Sequence, residues 1–150
     1  MANALILEPP PKKRKPYVAK EYHEQCFVFT QLRLRERHQP EVGLIFATMN
    51  GIKLPIGLAK KAKAAGNKAG VPDTVVPIAR GGAFGLYIEL KEPNGKPPPQ
   101  HQLDFHEALR KQGYHVEVAY GAIEWMDILN RYLKQPRTMV IPFATEGVTP

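Results

Sequence analysis

Two acidic residues and one amine carry the obvious chemistry of this sequence. Asp73 stands before a β-branched run, and the triplet Glu89-Leu90-Lys91 follows sixteen residues later. On a strand, side chains two positions apart share a face, so Glu89 and Lys91 project together while Leu90 enters the opposite layer. A hairpin between Asp73 and Glu89 folds the chain back and brings the two carboxylates side by side. Hard divalent cations such as Mg²⁺ or Mn²⁺ take carboxylate oxygens. An ion held there can polarise a phosphate, lower the pKa of an attacking water and stabilise a leaving oxyanion. A neighbouring lysine can orient that water or neutralise the charge that builds up on phosphorus. The same residues also fit an ordinary surface, with Glu89 and Lys91 paired on the solvent face of an edge strand and Asp73 a turn residue after Pro72.

The elements that must position these residues follow from periodicity. From about Lys20 to His38 the pattern is helical, with Glu21, Gln25, Val28 and Leu32 on one stripe and Tyr22, Cys26 and Phe29 beside it. Pro40 closes that helix. Val42–Thr48 is an apolar run of strand length, and Asn50-Gly51 is a turn signal after it. Pro55 suits the first turn of a second helix through about Ala65, with Gly66 as its stop. Thr74–Ile78 and Phe84–Lys91 read as the strands of a hairpin around the glycine-rich Arg80–Gly85. A third helix runs from about Gln100 to Gln112, with Phe105 and Leu109 four apart and Gly113 at its end. His115–Ala119 alternates as a strand. Ala122–Leu133 is a last amphipathic helix, with Ala122, Met126, Leu129 and Leu133 on one stripe. The order α-β-α-β-β-α-β-α predicts an α/β fold, a central mixed β-sheet flanked by helices. Residues 1–18 read as a disordered, basic, Pro-rich arm, and residues 136–150 as a loose tail with one short strand at most, over Thr138–Ile141.

At 150 residues, with 43% hydrophobic residues, the chain has material for one domain with a real core. The single cysteine, Cys26, excludes an intramolecular disulfide and a thiolate zinc site, and it fits a reducing compartment. No apolar run approaches the roughly 20 residues that span a bilayer, and the opening MANALIL is too short for a signal peptide. The net charge is +7, and 18 of the 21 basic residues fall within residues 1–112. They concentrate at Lys12–Lys15, at Arg33, Arg35 and Arg37, and at Lys53, Lys60, Lys61, Lys63 and Lys68. A polyanionic partner follows from that distribution. His23, His38, His101, His106 and His115 lack any metal-binding spacing and read as surface or packing residues. Gly81, Gly82 and Gly85 read as turn glycines and Trp125 as a core or dimer residue.

Taken together, these segments resemble the PD-(D/E)xK nuclease superfamily and, within it, the virus-type replication-repair nuclease domain, VRR-NUC. The resemblance is carried by Glu21-Tyr-His-Glu-Gln25, Met49-Asn-Gly51, Ala69-Gly-Val-Pro-Asp73, Gly85-Leu-Tyr-Ile-Glu-Leu-Lys91, Gly95-Lys96 and Gln102. Leu109, Gly113 and Ile128–Leu133 follow in order, so the domain would occupy residues 19–135. The resemblance implies a restriction-endonuclease-like core with Asp73 and Glu89 as principal metal ligands and the carbonyl of Leu90 adding an oxygen. Lys91 would be the catalytic lysine, and Gln102 the glutamine that reaches toward the site. Glu21 matches the first-helix glutamate that completes or supports the metal cluster, with Glu24 the weaker candidate. The family often has Ser or Thr before a proline ahead of the glutamine helix. Here Lys96 leads into three prolines, so Gln100 competes with Gln102, and spacing to Leu109 and Gly113 favours Gln102.

The implied activity is a Mg²⁺- or Mn²⁺-dependent, structure-selective DNA endonuclease that leaves 5′-phosphate and 3′-hydroxyl ends. Four-way (Holliday) junctions cut by a homodimer are the expected substrate. A flap or other branched-DNA nuclease, and a non-catalytic DNA-binding module with this fold, are the alternatives. Lys53, Lys60, Lys61, Lys63, Lys68, Arg33 and the basic arm would hold phosphates in a sequence-neutral way. Such a minimal domain points to the cytoplasm of a bacterial or phage-infected cell, or to a nucleus if Lys12–Lys15 is an import signal.

Overall fold

Helices and strands alternate along the chain in the expected order. Helix α1 (Lys20–Arg35) leads through a 3-10 turn at Pro40–Leu44 into strand β1 (Phe46–Ala47) and helix α2 (Ile56–Ala64). Strands β2 (Thr74–Val76) and β3 (Leu86–Lys91), helix α3 (Gln100–Lys111), strand β4 (His115–Tyr120) and helix α4 (Ala122–Leu133) follow. The computed structural model describes residues 20–51 and 54–139. Lys53 and the Lys12–Lys15 run lie outside the described residues.

The four strands form one sheet in the order β1-β2-β3-β4. β1, β2 and β3 pair antiparallel, whereas β3 and β4 pair parallel from Leu86↔His115 to Lys91↔Tyr120. A parallel pair needs a crossover, and α3 supplies it. β3 is therefore central at its start, between β2 and β4, and its alternation sorts side chains between two layers. Leu86, Ile88 and Leu90 enter the main core with Val28 and Leu32 of α1 and Trp125, Ile128, Leu129 and Tyr132 of α4. Glu89 and Lys91 face the other way, onto α3.

Local chemistry moved several boundaries. Pro40 opens a 3-10 turn that carries Val42 into the core, so only Phe46 and Ala47 of the Val42–Thr48 run form a strand. α1 ends at Arg35 because the carbonyl of that residue accepts the N–H groups of both His38 and Gln39 in a turn. Along α1, Val28 and Leu32 are buried, while Tyr22 and Cys26 are exposed. The buried stripe of α4 is Ala122, Trp125, Ile128, Leu129 and Tyr132, with Met126 and Leu133 only partly covered. Trp125 is a core residue.

The start of the tail is tied down. Gly81 N–H donates to the Pro136 carbonyl at 2.8 Å, Thr138 N–H to the Ala79 carbonyl at 3.2 Å, and Thr138 Oγ1 to the Ala83 carbonyl at 3.0 Å. Thr138 and Met139 are not strand, and residues 140–150 lie outside the described residues. Beneath this turn Arg80 is buried and paired with Glu41 at 2.6 Å. No described helix is long and apolar enough to cross a membrane.

Candidate active site

The hairpin brings Asp73 to Glu89 through its register. The last β2–β3 pair is Thr74↔Ile88, so Asp73 and the residues after Ile88 lie just beyond the paired ends. The N–H of Leu90 points to that edge and donates to Asp73 Oδ2 at 3.0 Å. A residue's carbonyl lies on the same strand edge as its N–H, so the Leu90 carbonyl faces this edge too. On the other flank Thr48 N–H donates to the Asp73 carbonyl at 2.8 Å and Thr48 Oγ1 to the Pro72 carbonyl at 2.9 Å. Asp73 is thus fixed from both neighbouring strands.

Glu89 is 1% exposed. Its Oε1 accepts from Lys91 Nζ at 2.6 Å and from Gln102 Nε2 at 2.7 Å. Gln102 closes the ring, because its Oε1 accepts a second Lys91 hydrogen at 3.0 Å. One carboxamide therefore orients an acid and an amine at once. Gln100, the competing glutamine, donates to Asp104 on the exposed side of α3.

Glu89 is buried and Asp73 partly so, and their surroundings move the two carboxyls in opposite directions. Burial, and then the charge of Glu89, push the Asp73 carboxyl up to about 7, against the opposing pull of the Leu90 N–H and of Lys91. Burial also pushes Glu89 upward, but His106 and Lys91 outweigh it and hold that carboxyl below its ordinary value. Glu21 adds to the upward push on Asp73, so its charge acts on the site. Glu24 has another task. Its Oε2 accepts the Ala122 N–H at 2.7 Å, supplying the N-terminal cap that Gly121 cannot give to α4.

His106, expected as a surface or packing histidine, is a packing one, and it sits against Glu89. It is completely buried, with Nε2 3.9 Å from Glu89 Oε2, and neither ring nitrogen has a hydrogen-bond partner. The signal for it was its position four residues after Gln102, on the same face of α3.

Glu89 Oε2 is buried without a donor. With the Asp73 carboxyl raised by burial and by the charge of Glu89, and the Leu90 carbonyl at the edge, the donor set is all oxygen. That set suits Mg²⁺ or Mn²⁺, which bind through one or two carboxylates and keep several waters. No group of three or more His, Cys, Asp or Glu that could hold a metal ion forms among the described residues, so waters or substrate oxygens would complete the shell. Arg33, Lys60, Lys61, Lys63 and Lys68 are all exposed. Arg35 instead donates to Asn130 at 2.6 Å and to Gln39 at 2.8 Å, which ties α1 to α4.

No curated protein matches the sequence. A solved structure described as a VRR_NUC domain protein superposes with a TM-score of 0.65 at 28% identity, covering 82% of this chain and 95% of that one. Its likeness extends to the mixed sheet and its helices, a nuclease-like α/β core. The family model of the VRR-NUC domain matches residues 18–123, a span that holds Glu21, Asp73, Glu89, Lys91 and Gln102, and the chain belongs to that nuclease domain family.

Proposed function

We propose that this nuclease domain is a Mg²⁺- or Mn²⁺-dependent deoxyribonuclease that hydrolyses backbone phosphodiesters of branched DNA, four-way junctions foremost. The observation that carries this reading is the ring of Glu89, Lys91 and Gln102, in which one carboxamide holds an acid and an amine together beside Asp73. A divalent ion bound by Asp73, Glu89 and the Leu90 carbonyl, with Glu21 in support, would polarise a phosphate oxygen and lower the pKa of an attacking water. Lys91 has three hydrogens and spends two of them on Glu89 and Gln102. The third is available to a water or to a phosphate oxygen. Gln102 keeps the ammonium from turning to solvent, and its bond to Oε1 leaves Glu89 Oε2 without a hydrogen-bond donor. Lys60, Lys61, Lys63, Lys68 and Arg33, with Lys53 ahead of α2 in sequence, supply a cationic surface for the phosphates.

A homodimer belongs to the same proposal, because cutting two strands of a junction symmetrically needs two active sites. Sedimentation of the wild type tests it, with a dimer expected at the concentrations that support cleavage and a monomer counting against it.

The test is cleavage of a labelled four-way junction, a flap and a linear duplex by wild type and Asp73→Ala, with and without Mg²⁺ or Mn²⁺. Metal-dependent cutting by wild type alone, strongest on the branched substrates, is expected. Wild type that binds the junction yet leaves it intact in both metals would sink the proposal.

A further inference from the structure

A cleft of about 760 Å³ opens beside the acids, lined by Asn50, Lys63, Asn67, Lys68 and Phe105. Its volume falls in the range of about 300–1,000 Å³ typical of small-ligand sites. α3 joins it to the acids: Gln102 reaches Glu89, and Phe105, three residues on, lines the cleft. The opposite wall is joined as well. Asn50 Nδ2 donates to the Val71 carbonyl at 2.8 Å, two residues before Asp73. Gly70 has φ +90, and a Cβ there would stand 2.9 Å from the His101 carbonyl and 3.5 Å from Phe105 Cβ. Only glycine lets this loop lie so close against α3. The cleft is therefore built by the same segments that hold the catalytic candidates.

Its chemistry is one-sided. Two ammonium groups, two carboxamides and an aromatic ring line it, and among the described residues no carboxylate does. Lysines suit phosphates, carboxamides suit the hydrogen-bonding edge of a base, and an aromatic face suits the base plane. A base stacked inside a duplex has both faces covered by its neighbours, so only an unpaired nucleotide can use Phe105. We propose that this cleft takes one nucleotide unstacked at the branch point next to the scissile phosphate, the unpaired base of a flap or a base freed at the centre of a four-way junction, so that the enzyme selects branched DNA over continuous duplex. This rests on the nuclease reading above and narrows its substrate class.

The experiment measures binding by fluorescence anisotropy in an Asp73→Asn background, which prevents cleavage, using a labelled duplex and the same duplex bearing a single-stranded flap. Phe105→Leu keeps apolar packing but removes the ring. It should weaken flap binding by about tenfold and duplex binding by less than about twofold, whereas Phe105→Tyr should retain both. Lys63→Gln combined with Lys68→Gln changes only exposed side chains, and it should lower the salt slope of flap binding by about two. Equal losses on the two DNAs with Phe105→Leu, or no change in salt slope with the lysine variant, would overturn the subsite and leave the nuclease reading intact. Failure of the background protein to bind either DNA would overturn both.

Discussion

Replacing Asp73 by Asn should stabilise the metal-free protein at pH 8. The folded-state value of about 7, against 3.8 for a free side chain, is a rise of about three units. Below pH 3.8 the carboxyl is protonated in folded and unfolded chains alike, and nothing is lost. Between 3.8 and about 7 the folded chain keeps a proton that the unfolded chain has released, so stability falls as pH rises, by about 1.4 kcal/mol per unit. Above 7 the full penalty of a buried charge facing Glu89 is present, on the order of 4 kcal/mol. Asn carries no such charge, and its carbonyl can still accept the Leu90 N–H. Urea denaturation in EDTA, followed by the fluorescence of Trp125, reads the effect, since Trp125 is the sole tryptophan and is fully buried. From pH 5 to pH 8 the variant's advantage should widen by about 2–3 kcal/mol. Millimolar Mg²⁺ should then stabilise wild type and narrow the gap. A gap that is constant with pH, or a variant less stable than wild type at pH 8, would refute the electrostatic account of the site.

The two first-helix glutamates should separate cleanly. Glu24→Ala removes the α4 cap and should lower stability by about 1 kcal/mol while the folded fraction keeps its cleavage rate. Glu21→Ala should leave the melting temperature nearly unchanged and weaken metal-dependent cleavage; the opposite pattern would exchange their roles. Gln102→Leu strips Glu89 Oε1 of a donor and Lys91 of an acceptor, so kcat should fall by roughly 10–100-fold with DNA binding retained. Arg80→Met leaves Glu41 without its partner at 2.6 Å, and urea titration should show a loss of about 3 kcal/mol with no change in cleavage by the folded protein.

Most of the architecture was legible because the signals were local. Proline and glycine set the limits of α2 and α3, and β3 announced itself by alternation, so the order of the eight elements could be written down from the sequence. The amphipathic stripe of α4 was legible only to within one helical position, since Trp125 and Tyr132 are decided by what α1 and the sheet present to them. β1 was read too long, from Val42, because Pro40 diverts the start of that apolar run into a 3-10 turn, and apolarity alone does not distinguish the two. In the site, Asp73, Glu89 and Lys91 could be picked out by type and spacing, and Gln102 through the resemblance. His106 and the cap made by Glu24 could not. Each depends on a contact between segments distant in sequence, 98 residues apart for Glu24 and Ala122, and neither residue type is unusual on a helix.

Strand β2 is three residues long and β3 is six, and this mismatch makes the site a sensor of correct pairing. Because β2 starts only at Thr74, the Leu90 N–H has no strand partner on that side and turns to the Asp73 side chain instead. A slip of β3 by one residue would exchange its two faces. Glu89 and Lys91 would then be driven into the apolar layer against Val28 and Trp125, and three leucine and isoleucine side chains would meet Gln102 and His106. Such a chain would lose its core and its carboxylate pair in the same step. Misfolded molecules of this kind should therefore be inert toward DNA rather than carry partial activity.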